Sequence, residues 1–109
     1  MTLPSVVSDD MTAEDLRSAS VIFPYYASAY GVGDLVDLIA AYNRSIRTVA
    51  GEEGVLLVDL AAELDARPDR RRLFFDTMHP SQRGRELIAD ILASRLTADV
   101  AAAHGGARR

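Results

Sequence analysis

The chain contains no cysteine. This absence excludes disulfide bonds, thiolate nucleophiles and cysteine-based metal sites, although it does not identify the compartment. Lysine is absent as well, so all twelve cationic side chains are arginines. The dense basic run Arg70 to Arg72 follows Asp69 directly, and we expect a solvated loop there rather than a phosphate-binding site.

Long apolar runs are also missing, and none approaches the roughly 18 residues that a membrane-spanning helix needs. The N-terminus lacks the basic and apolar regions of a signal peptide, so the sequence as written predicts a cytoplasmic protein. A start further upstream would allow secretion. The net charge of −4 and the pI near 5.0 argue against a nucleic-acid partner. At 109 residues, the chain allows one domain with a modest core.

Capping residues and apolar periodicity predict three main helices. The first begins at Thr12, with Asp15 completing a near-capping box, and ends near Ala19. The second covers residues 34 to 50, with Asp34 as its cap and Gly51 or Gly54 as its stop. Its apolar stripe comprises Leu35, Leu38, Ile39, Tyr42, Ile46 and Val49. The third has Pro80 in its first turn.

The remaining segments predict an incomplete α/β arrangement. The unbroken apolar run Val55 to Val58 is typical of a parallel strand covered on both faces, and residues 3 to 7 suggest the end of a second strand. A helical turn or two should follow over residues 59 to 64. The uncharged aromatic segment 20–33 predicts a packed irregular loop. One or two strands cannot cover two helix layers, so the pattern indicates half of a larger domain.

Asp76 and His79 are the candidate site residues, within the stretch FFDTMHP. A histidine base needs a buried carboxylate to fix its tautomer, and an acid three residues earlier can supply it if the loop turns the two side chains together. Phe74 and Phe75 would then keep water from the carboxylate. The alternative interpretation is a non-catalytic α/β interaction module, in which Asp76 caps the last helix and His79 lies in its first turn.

Residues 42–96 resemble the C-terminal half of the SGNH hydrolases, also called the GDSL esterase/lipase family. The resemblance rests on Tyr42-Asn43 within a helix, on an apolar run that ends at Asp59, and on the block Asp76-Thr77-Met78-His79-Pro80. Gly84 also stands where that family usually has a glycine after the His-Pro pair.

This resemblance implies a fold, a reaction and two roles. The fold would be a partial three-layer α/β/α (flavodoxin-like) sandwich, helix-rich with one or two parallel strands. Residues 1–98 would form its C-terminal part and residues 99–109 a flexible tail. The reaction would be hydrolysis of small-molecule, lipid or carbohydrate acyl esters through an acyl-serine intermediate. His79 would be the general base and Asp76 its orienting acid, with no metal or cofactor.

The nucleophile that the resemblance requires is missing from the sequence. The family carries it in a Gly-Asp-Ser block, whereas the nearest string here, Gly33-Asp34-Leu35, has leucine in its place. The Gly-x-Asn-Asp block that supplies oxyanion donors is missing too, and Asn43, the only asparagine, stands in a different context.

We do not expect another residue of the chain to supply the missing function. Ser5, Ser8 and Ser81 lack the glycine-flanked turn that exposes a nucleophilic hydroxyl. A metal site built from His79, Asp76 and His104 would have too few ligands. We therefore expect the chain to be inactive alone. It would be a truncated gene model, the product of an internal start at Met1, or one half of a split protein, and its exposed apolar surface favours self-association.

Overall fold

The computed structural model describes residues 1–19 and 31–106. Within these ranges the chain forms four α-helices and a 3-10 helix at Arg70–Leu73. The α-helices are α1 (Ala13–Ala19), α2 (Val32–Glu53), α3 (Leu60–Asp65) and α4 (Gln82–Gly106). Most of the aromatic segment 20–33 lies outside the described residues. None of the helices described is long and apolar enough to cross a membrane.

The predicted α/β sandwich with parallel strands is wrong. The described residues contain no β-strand, and their β-type pairing is limited to an isolated antiparallel bridge between Phe74 and Pro80. Among the described residues, no backbone hydrogen bond joins residues 3–7 to Val55–Val58; the nearest such bond runs from Thr2 N, just before the first predicted strand, to Val58 O at 3.2 Å. The apolar run is not covered on both faces either, since Val55 is 58% and Leu56 45% exposed.

In the N-terminal segment, residues 3–7, side chains form hydrogen bonds with backbone N–H and C=O groups that would otherwise pair in a sheet. Asn43 binds Leu3 reciprocally, accepting from its N–H at 2.7 Å and donating to its carbonyl at 2.9 Å. Arg70 donates to the carbonyls of Val6 and Val7 at 2.7 and 3.0 Å. Because these groups are already satisfied, the N-terminal segment packs as irregular chain and needs no ladder partner.

At the N-terminal ends of α1 and α2, an aspartate three residues after the cap accepts a hydrogen bond from the backbone N–H of the cap residue. Thr12 and Asp15 form the predicted capping box, with each side chain accepting a hydrogen bond from the other residue's backbone N–H. In α2 the cap is Gly31, and Asp34 stands three residues later, accepting from the Gly31 N–H at 2.9 Å. The prediction of Asp34 as the cap itself was therefore wrong by one helical turn.

The C-terminal end of α2 agrees with one of the two predicted stops. Gly54 has a φ of 62°, a left-handed conformation that favours glycine, and its N–H donates to the Ala50 carbonyl. Gly51 lies within the helix.

Two buried apolar clusters hold these elements together, one on each side of the N-terminal segment. Val6 packs with Leu64, Leu73 and Phe74 against the first turns of α4. Val7 packs with Met11 and Leu16 against the first turns of α2. Much of the predicted α2 stripe lies outside these clusters, since Leu38, Tyr42 and Val49 are exposed. These three residues form the surface through which we expect self-association, which stays a prediction.

Candidate functional site

Asp76 and His79 lie in a tight loop between the 3-10 helix and α4. The loop is closed at its base by a hydrogen bond from Ser81 N to Leu73 O at 2.8 Å, and nearer its tip by one from Phe75 N to His79 O at 3.0 Å. The antiparallel bridge between Phe74 and Pro80 lies between these two bonds. The chain therefore folds back on itself and brings the acid and the histidine together.

The carboxylate of Asp76 organises the loop and is 3% exposed. Its Oδ1 accepts hydrogen bonds from the backbone N–H groups of Met78 and His79 at 2.9 and 2.7 Å, an Asx-type turn. Its Oδ2 lies 2.7 Å from His79 Nδ1. Both carboxylate oxygens therefore make their contacts within the loop 76–79.

His79 is held on one side and open on the other. Its side chain is 45% exposed, and its ring stacks on Phe75 with centroids 5.6 Å apart and an interplanar angle of 21°. When the neutral imidazole donates from Nδ1 to Asp76, its Nε2 becomes an acceptor. Among the described residues, no hydrogen-bond partner contacts that Nε2. This is the arrangement that a triad needs in its acid and base.

The charge of Asp76 follows from competition between burial and hydrogen bonding. Burial opposes ionisation, but the N–H groups of Met78 and His79 and the imidazole outweigh it and hold the pKa of Asp76 below its usual range. At neutral pH the group is therefore a buried carboxylate. It can fix the orientation of His79 and stabilise an imidazolium.

Asp76 does not cap the last helix, so the capping interpretation is wrong. Ser81 performs that role, because its Oγ accepts from Gly84 N at 3.2 Å and its carbonyl accepts from Arg85 N at 2.9 Å. The helix accordingly begins at Gln82, and Pro80 precedes it. At its other end α4 continues to Gly106, so residues 99–106 of the expected tail are helical.

The three serines considered as local nucleophiles are each engaged elsewhere. Ser5 Oγ donates to Thr77 O at 2.7 Å, Ser8 Oγ donates to Asp10, and Ser81 Oγ donates to Arg72 O at 3.0 Å. Among the side chains that the structure describes, no serine hydroxyl makes a hydrogen bond to His79.

Residues 5 and 6 anchor the Asp76–His79 loop, which sequence reasoning missed. The Thr77 carbonyl accepts from both Ser5 Oγ, at 2.7 Å, and Val6 N, at 3.1 Å. Ser5 also receives a hydrogen bond from Val7 N at 3.1 Å, which fixes the hydroxyl. No sequence signal indicates this contact, because the partners are 72 residues apart.

Arg70 does not lie in a solvated loop, contrary to the sequence-based prediction. Its guanidinium is mostly buried and binds Asp65 at 2.9 Å, in addition to the carbonyls of Val6 and Val7. It therefore ties the N-terminal segment to the turn that precedes the loop. Arg71 and Arg72 are exposed, as predicted.

A third polar contact joins α2, α3 and the N-terminus. Asp59 accepts from Arg47 Nε at 2.6 Å and from the Thr2 hydroxyl at 2.8 Å. The hydrogen bond to Arg47, opposed by partial burial and helped by Thr2 and the Ala62 amide, lowers the pKa of Asp59 to about 2. Asp59 and Asn43, both part of the resemblance, thus act here as structural groups.

In the described part of the chain, His104 does not join Asp76 and His79 in a metal site. His104 lies in the last turns of α4, where its Nδ1 contacts Val100 O at 2.8 Å. The part of the chain that the structure describes contains no group of three or more histidine or acidic side chains placed to hold a metal ion.

Comparisons with known proteins gave no match that bears on this site. No protein-family model matches the chain, and neither the curated proteins nor the solved structures gave a match. The chemistry of the site is therefore argued from its own contacts.

Proposed function

We propose that Asp76 and His79 form the acid–base half of a serine-type acyl-ester hydrolase, the activity that the resemblance to SGNH hydrolases implies. The observation that carries the proposal is the 2.7 Å contact between Asp76 Oδ2 and His79 Nδ1, made by a carboxylate that is 3% exposed. A buried acid that orients a half-exposed imidazole is suited to proton transfer at the free ring nitrogen.

The two residues would act in a two-step hydrolysis. In the first step His79 Nε2 takes the proton of a serine hydroxyl as its oxygen attacks the ester carbonyl, and then returns that proton to the departing alcohol. In the second step a water molecule gives its proton to Nε2, attacks the acyl-serine and releases the acid, after which the proton returns to the serine. Asp76 stays ionised throughout and stabilises the imidazolium in both steps.

The nucleophile and its oxyanion donors would come from a segment outside the described residues. Since no described serine reaches His79 and the sequence contains no Gly-Asp-Ser block, we expect the 109-residue chain alone to hydrolyse p-nitrophenyl butanoate no faster than its His79→Ala variant. Hydrolysis that depends on His79 in this chain alone would contradict that expectation. One of the chain's own serines would then be the nucleophile.

The decisive experiment starts from the transcript that encodes Met1. Mapping the reading frame upstream and its neighbours identifies any segment translated with this chain or beside it. We expect a segment with a Gly-Asp-Ser block. Produced together, the two parts should hydrolyse p-nitrophenyl butanoate, and His79→Ala should lower kcat by a factor on the order of 10⁶. His104→Ala is the matched control and should leave kcat unchanged.

Two outcomes would overturn the proposal. One is an active combined protein whose activity survives His79→Ala. The other is a transcript that starts at Met1 with no neighbouring frame that encodes a nucleophile block.

A further inference from the structure

An apolar cleft of about 250 Å³ opens beside the Asp76–His79 loop. Two of its lining residues, Thr77 and Met78, are the residues between the acid and the histidine. The opposite walls are the N-terminal segment 3–7 and the face of α2 that carries Leu38 and Ile39. The cleft therefore borders the loop that carries the imidazole of the proposed reaction.

The surface of this cleft offers hydrocarbon and no free polar group. Ser5 and Thr77 are among its lining residues, but the Ser5 hydroxyl is committed to the Thr77 carbonyl and to Val7 N. No charged side chain lines the cleft. A ligand that fits such a surface is itself hydrocarbon, because polar atoms would lose their hydration without gaining a partner.

We propose that this cleft binds the acyl chain of the ester and favours a saturated chain of about eight carbons, an inference that rests on the proposed function. The size follows from comparison with apolar cavities, of which one of about 150 Å³ accommodates benzene with its six carbons. By the same proportion a cleft of about 250 Å³ has room for roughly ten carbons. We assign about eight of them to the acyl chain, because the cleft is open on one side and its outer part does not enclose a ligand. With the chain seated there, the ester carbonyl lies at the end of the cleft that Met78 forms, adjacent to His79 in the sequence.

The first test is binding of fatty acids to the 109-residue chain, followed by NMR of its methyl groups. Each buried methylene strengthens binding by up to about fourfold. We expect octanoate to bind at least about tenfold more tightly than butanoate, since part of each added methylene stays exposed in an open cleft. Dodecanoate should gain no more than about threefold over octanoate, because its last carbons extend past the walls. The methyl signals of Leu38, Ile39 and Met78 should shift with octanoate.

Two tryptophan variants of α2 provide a matched comparison. Leu38 lines the cleft and Val49 lies further along the same helix, in a separate groove, and both side chains are exposed. Leu38→Trp should fill the cleft and weaken octanoate binding at least tenfold. Val49→Trp should change it less than twofold. Amide NMR spectra confirm that both variants keep the fold.

Several outcomes would overturn the assignment. They are equal affinity for butanoate and octanoate, shifts that map to Val49 and Val55 instead, or octanoate binding that survives Leu38→Trp. Binding that falls as protein concentration rises would show that a second copy of the chain occupies the cleft.

The test also separates this inference from the catalytic proposal. Octanoate bound in the cleft of a combined protein that lacks esterase activity would overturn the catalytic proposal and leave an apolar-ligand site. An active combined protein with equal kcat/KM for acetyl and octanoyl esters would overturn the acyl-chain assignment alone.

Discussion

Gly84 is the residue whose replacement tests the packing around the candidate site most sharply. A Cβ atom added there would lie 2.0 Å from the carbonyl oxygen of Leu73, 3.0 Å from its carbonyl carbon and 3.1 Å from Pro80 Cβ. The nearest atoms belong to backbone that cannot turn aside. The same Leu73 oxygen accepts the hydrogen bond from Ser81 N that closes the Asp76–His79 loop.

Two opposing terms set the size of the effect of Gly84→Ala. Alanine is favoured over glycine in a helix by about 1 kcal/mol. Against this, a 2.0 Å overlap with a carbonyl oxygen forces α4 away from the 3-10 helix, and overpacking of this kind costs about 1–3 kcal/mol or more. Because the overlap involves fixed backbone, we expect the steric cost to reach or exceed the upper end of that range, about 3 kcal/mol, which leaves a net loss of about 2 kcal/mol or more in the free energy of unfolding.

Gly51→Ala is the matched control for this change. Gly51 lies within α2, and a Cβ atom there would meet nothing within 4 Å. The substitution should therefore stabilise the chain by about 0.5–1 kcal/mol. Urea unfolding followed by helical circular dichroism measures both variants. If Gly84→Ala proves as stable as the wild type, α4 does not pack on Leu73 in the way described.

The remaining predictions concern the polar contacts. Because the folded-state pKa of Asp59 is lowered to about 2, its stabilising contribution is complete above its ordinary pKa of about 4 and is lost as the pH falls towards 2. Urea midpoints at pH 5 and pH 2.5 should therefore differ less in Asp59→Asn than in the wild type, and an equal difference would contradict the contact with Arg47. Arg70→Met removes the donor for two backbone carbonyls and should lower the free energy of unfolding by about 1–3 kcal/mol. Arg72→Met, at an exposed side chain, should change it by less than about 0.5 kcal/mol, and equal losses in the two variants would contradict the role of Arg70.

The helices could be predicted because their signals are local. The capping box of Thr12 and Asp15 involves residues three positions apart, and Gly54 combines a left-handed conformation with the end of an apolar stripe. The start of α4 was placed at Pro80 because proline suits a first helical turn, yet Ser81 is also a favoured cap and supplies the hydrogen bond.

The fold class could not be predicted because a strand depends on its partner. A short apolar run such as Val55 to Val58 has no periodicity that separates strand from irregular chain. Whether it joins a sheet depends on distant residues. Asn43 and Arg70 bind the N-terminal segment across 40 and 64 residues respectively, and neither contact leaves a pattern in the sequence.

Of the candidate site, the local pair of residues could be predicted, whereas the long-range contacts around it could not. Asp76 and His79 are near neighbours, so their spacing and the proline that follows were enough to propose that they pair. The contacts that hold their loop in place were not visible, because Ser5 and Val6 reach Thr77 from the opposite end of the chain. The cleft beside the loop was missed as well, since its walls come from three separate segments.

The tautomer of His79, read from its ring nitrogens by ¹⁵N NMR, shows whether Asp76 orients this side chain as a base. The measurement is made at a pH high enough for the ring nitrogens to report the neutral form. We expect a proton on Nδ1, held by Asp76, and an unprotonated Nε2. The Asp76→Asn variant should lose this preference for one tautomer. A proton on Nε2 in the wild type, or the same tautomer in both proteins, would contradict the assignment of His79 as a base oriented by Asp76.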